Sequence, residues 1–65
     1  MTRAEAENLL HDYLKRYNKH YKKIEKIIFG ETNLYFLFLC KYKANTVSCK
    51  YAVIKETGDV WLVPT

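Results

Sequence analysis

Glycine and proline are scarce in this chain, with two glycines and one proline in 65 residues. That scarcity excludes collagen-like, linker and low-complexity classes. Disorder is excluded by the opposite feature: 49% of the residues are hydrophobic and 15% aromatic. No apolar run approaches the ~18 residues that a membrane-spanning helix needs. The opening MTRAEAENLL carries two glutamates and lacks the basic start and apolar run of a secretory signal, so a cytoplasmic location is the expectation.

Chemistry-bearing patterns are equally sparse. There is no nucleophile elbow, no phosphate-cradling glycine loop and no pair of carboxylates at catalytic spacing. His11 and Asp12 are neighbours on a helical segment, so their side chains diverge by about 100°. The two cysteines bracket "CKYKANTVSC" without a compact C-x-x-C knuckle, and only His11 and His20 could complete the four ligands of a zinc site. The expectation is a chain that is not an enzyme and holds no metal or cofactor.

What is present organises residues 1–65 as one domain. Thr2-Arg3-Ala4-Glu5 has the T-x-x-E spacing of a capping box, which starts a helix at Arg3. Ala6, Leu9, Leu10, Tyr13, Leu14, Tyr17 and Tyr21 recur at a 3.6-residue period, opposite Arg3, Glu7, Asp12, Lys15, Arg16 and Lys19. The spacing predicts that the helix frays between Asn18 and Lys22. Beyond it the pattern turns to strands: Ile24–Phe29, a turn over Gly30–Asn33, Leu34–Tyr42, Thr46–Ile54, a tight turn containing Gly58, and Val60–Val63 before Pro64. The expected architecture is α+β, one N-terminal helix packed on a four-stranded antiparallel meander sheet.

Polarity favours one register of the middle hairpin over the other open to it, a Tyr42–Thr46 pairing around a left-handed Asn45 that would set Phe38 against Lys50 and Lys41 against Val47. Pairing Lys43 with Thr46, across a loop at Ala44 and Asn45, sets Tyr42 against Val47, Cys40 against Cys49, Phe38 against Tyr51 and Phe36 against Val53. This face is apolar and belongs under the helix. The cysteines then form a cross-strand pair at a non-hydrogen-bonded site, close enough to bond, with reduced thiols the expectation in a cytoplasmic chain. Pairing Lys55 with Asp59 in the last hairpin adds Trp61 and Val63 to that covered face. Tyr35, Leu37, Ala52, Ile54, Val60 and Leu62 then line the opposite face, which one helix cannot cover. A small core calls for a partner, and an exposed apolar patch marks a docking surface. Both point to another protein, with a homodimer as one form.

The charge of +4 is unevenly spread, because Lys15, Arg16, Lys19, Lys22, Lys23 and Lys26 fall in one stretch with His20. Interleaved with tyrosines, "KRYNKHYKK" offers a second reading, a small basic nucleic-acid-binding protein.

"TRAEAENLLHDYL" resembles the opening helix of small bacterial PepSY domains and of YrhB-like immunity proteins, and "YAVIKETGDVWLV" resembles their closing hairpin with its T-G-[DE]-V turn. "LYFLFLCKY" stands where the immunity proteins carry a tryptophan-containing middle strand. The resemblance implies a non-enzymatic protein-binding module, an inhibitor or immunity-type protein acting by contact in a toxin-immunity or phage-host conflict.

Overall fold

A computed structural model describes residues 1–43 and 48–64. Helix α1 (Arg3–Tyr17) is followed by a single 3-10 turn at Tyr21–Lys23 and by strands β1 (Ile24–Glu31), β2 (Tyr35–Tyr42), β3 (Ser48–Ile54) and β4 (Val60–Val63). The strands form one antiparallel sheet in the order β1-β2-β3-β4, with the helix packed on one face. The fold is α+β, as the pattern of periods predicts.

Helix α1 starts where the capping box places it. The Thr2 hydroxyl accepts the Glu5 N–H at 3.2 Å, and the Glu5 carboxylate accepts the Thr2 N–H at 2.8 Å. That second bond holds the Glu5 carboxyl below its ordinary range. The last helical residue is Tyr17 and the exit falls at Asn18, the start of the predicted window, because Asn18 turns extended while its N–H still closes on the Leu14 carbonyl. Asn18 does more than stop the helix. Its side-chain amide donates to the hydroxyls of Tyr42 and Tyr51, at 2.7 and 3.2 Å, and its carbonyl accepts the His20 N–H. The helix exit is thereby tied to β2 and β3.

Ala6, Leu10 and Leu14 are buried against Phe36, Phe38, Cys40, Tyr51 and Val53. Tyr13 and Tyr21 flank this core, whereas Tyr17 is 69% exposed and lies against the Tyr13 ring. The first hairpin turns later than predicted. Thr32 pairs with Tyr35 through its backbone N–H, and its hydroxyl accepts the N–H groups of Leu34 and Tyr35, so Asn33 and Leu34 make the turn. Gly30 and Glu31 extend β1. A bulge at Glu25 shifts β1 by one residue, which lets Ile24 join Ile27 and Phe29 on the helix side while Lys26 faces away.

Between β2 and β3 the expected register holds for Phe36–Val53, Phe38–Tyr51 and Cys40–Cys49. The expected Lys43–Thr46 and Tyr42–Val47 pairs, the Ala44–Asn45 loop and the start of β3 at Thr46 lie outside the described residues. The ladder phase differs from expectation. The Lys55 N–H donates to the Leu34 carbonyl, and counting in twos from that bond makes Cys40–Cys49 a hydrogen-bonded pair. Such pairs hold their Cα atoms about 5.5 Å apart rather than about 4.5 Å, still within disulfide range. Both thiols are free.

The β3–β4 hairpin corrects the predicted register. Ile54 donates to the Asp59 carbonyl but accepts from the Gly58 N–H, so it opposes two residues across a bulge whose first residue, Gly58, has φ +77°. The extra residue moves β4 by one position. Val53 pairs with Val60, Ala52 with Trp61, Tyr51 with Leu62 and Lys50 with Val63. Val60 and Leu62 therefore lie on the helix side, and Trp61 and Val63 on the opposite face. Gly58→Ala would force an L side chain into this left-handed conformation, with its Cβ 3.4 Å from a Leu9 methyl. The expected cost is about 1–2 kcal/mol, a fall of roughly 4–8 °C in Tm per kcal/mol for a domain of this size, read by thermal melting.

Candidate functional site

The register sorts the sheet into a covered and an uncovered face. On the uncovered side, Ile28, Leu39, Lys50 and Val63 form one row across the four strands, and Gly30, Leu37, Ala52 and Trp61 form the next. Tyr35 and Ile54 pair at one end; Lys26, Lys41 and Ser48 form the row at the other. Trp61 is 60% exposed and Ile28 39%, so the two outer strands present apolar side chains to solvent in the central rows of this face.

Of the six residues assigned to this face from sequence, Tyr35, Leu37, Ala52 and Ile54 lie on it. Val60 packs against the core on the helix side, and Leu62 shares that side but is 56% exposed because the helix does not reach it. Ile28, Leu39, Trp61 and Val63 complete the face and were missed. Ile28 follows the alternation of β1 beyond the Glu25 bulge, and Leu39 that of β2 between Leu37 and Lys41; the β4 pair has no such signal in the apolar run V-W-L-V.

The basic stretch divides as well. Lys15, Lys19, Lys22 and Lys23 line one open groove with Asn18, His20 and Tyr21. Lys22 also borders an adjacent depression with Lys26, His11 and Glu25. Arg16 is exposed and lines neither. His11 turns toward the Tyr21 hydroxyl, its Nδ1 3.2 Å away, with the two rings edge to face. Among the described residues, the ion pairs are Arg3–Glu7 and Lys55–Glu31, and no three His, Cys, Asp or Glu side chains converge on a point. No described helix is long and apolar enough to cross a membrane.

The two cysteines differ in environment. Cys40 is fully buried and Cys49 half-buried. Burial, with Cys49 nearby adding to it, pushes the Cys40 thiol from its ordinary 9.0 up to about 11. A thiol in that state is a core residue and a poor nucleophile. Burial likewise pushes the Tyr51 phenol up to about 12, partly offset by the Asn18 hydrogen bond. The pH dependence follows. Above 9.0 the unfolded thiol loses its proton while the folded one keeps it, so the folded state binds more protons and stability falls as pH rises. Stability is full below about pH 9 and declines toward pH 11 by up to about 2–3 kcal/mol, since each pH step of one between the two values costs about 1.4 kcal/mol. Urea titrations across that range would measure the decline, and Cys40→Ala is expected to remove it between about pH 9 and 10, while above about pH 10 the raised Tyr51 phenol keeps stability falling.

No protein-family model, curated protein or solved structure matches this chain.

Proposed function

We propose that this chain is a protein-binding module of the inhibitor or immunity type, acting by contact and not by catalysis, with the uncovered sheet face as its docking surface. The observation that carries the reading is the pair of central rows of that face, where Ile28 and Trp61 stand exposed on the two outer strands, Leu37, Leu39 and Val63 are half-buried between and beside them, and Lys50 is the one charge. Soluble monomers rarely leave a contiguous patch of this kind uncovered unless it binds something. Its composition also fits, since exposed tryptophan is a recurrent anchor of protein interfaces.

A second copy is the first occupant to test. Strands about 4.8 Å apart, rising about 3.3 Å per residue, make a four-strand face roughly 19 Å wide and 25 Å long. That projects to about 475 Å² on each partner, or roughly 950 Å² in total, the size of a weak, transient interface rather than a standard one. The experiment is solution mass across concentration, for the unaltered chain and for Trp61→Glu.

A further inference from the structure

We propose that the groove at the helix exit binds the phosphate backbone of a single-stranded nucleic acid, at a site separate from the sheet face. The local structure builds it. Because α1 stops at Tyr17 and Asn18 turns extended, the 3-10 turn at Tyr21–Lys23 carries Lys22 and Lys23 into the same concavity as Lys15 and Lys19. No carboxylate lines that groove, and the ion pairs among the described residues lie elsewhere.

The helix macrodipole accounts for Lys15, which sits in the last turn. It does not account for Lys19, Lys22 or Lys23, which lie past the end of the helix, where the dipole's influence has faded. Four ammonium groups facing one concavity repel each other, and a polyanion relieves that repulsion. Ring surface favours a nucleic acid over an acidic peptide. His20 is exposed, and its edge-to-face meeting with Tyr42 covers at most one face of the ring. With the Tyr21 ring it supplies the stacking surface that bases use and carboxylates do not. A concave site also suits a flexible strand better than a flat bilayer.

The test is fluorescence anisotropy with a labelled oligothymidine of about 12 nucleotides, within the range that small single-strand sites cover. Four phosphates engaged predict a slope of about −3 in log Kobs against log salt, since each contributes about −0.7 on a single strand. Lys19→Gln with Lys22→Gln should halve the slope and weaken binding at least tenfold at low salt. Both side chains are exposed, so circular dichroism and solution mass should stay unchanged. Unaltered binding in that double variant would overturn the proposal, as would no anisotropy change at low salt. So would stronger competition by polyglutamate or phosphatidylglycerol vesicles than by unlabelled oligonucleotide.

Discussion

Phe38→Ala is expected to leave the chain largely unfolded at 25 °C. Phe38 is fully buried and lies on an inner strand, paired with Phe29 on one side and Tyr51 on the other. Its ring sits 5.7 Å from that of Phe29, and it belongs to the cluster that receives Leu10 and Leu14 from the helix. Truncating a buried phenylalanine costs about 3–5 kcal/mol, from the lost burial and the cavity left behind. Domains of this length have little more than that to lose, because such a core supplies only about 3–5 kcal/mol in total. Loss of the cooperative urea transition, followed by circular dichroism, is the expected result. Phe38→Leu keeps most of the volume and should remain folded with a lowered midpoint. Leu34→Ala is the contrast: Leu34 is 72% exposed at a turn tip, and its removal should change stability by no more than about 0.5 kcal/mol. A Phe38→Ala chain as stable as the Leu34→Ala chain would mean that the helix does not pack where the structure places it.

The helix was legible because two independent signals agree on it, the T-x-x-E cap and the recurrence of Ala6, Leu10 and Leu14. The β2–β3 register was legible because its flanking lysines tolerate only one face. The β3–β4 register was not. Val60, Trp61, Leu62 and Val63 are apolar on both sides of the pleat, so a one-residue slip changes no polarity. Gly58 serves equally well as the left-handed residue of a short loop or as the first residue of a bulge, and only the hydrogen bonds at Ile54 separate the two. The same limit hid Asn18. Its tyrosine partners lie 24 and 33 residues away, and no local pattern announces a side-chain bond across that distance. The lysine run was visible, but its division between a groove and the sheet depends on the extended turn at Asn18 and the bulge at Glu25.

Trp61→Glu is expected to turn a concentration-dependent dimer into a monomer, with Kd weakened at least 100-fold, the equivalent of about 3 kcal/mol or more for an unpaired charge forced into an interface. In a single chain the substitution should matter little, because Trp61 is already 60% exposed. The difference between those two outcomes is the measurement. If a second copy covers the face, the Tm of the unaltered chain rises with concentration by mass action, and that of Trp61→Glu does not. The chain has one tryptophan, so its emission should also shift to the blue as the dimer fills. Leu62→Glu is the matched control. It is similarly exposed, one residue along, and on the helix side of the sheet. It should leave the mass unchanged, whereas a β4 slipped by one residue would put Leu62 on the uncovered face and reverse the two results. Ile28→Glu, across the sheet on β1, should behave as Trp61→Glu does, because both side chains point from the same face. An unaltered chain that stays monomeric from low micromolar to near-millimolar concentration, with a constant Tm, would overturn the second copy as occupant. The exposed tryptophan would then have to be explained by a different protein seated on the same rows.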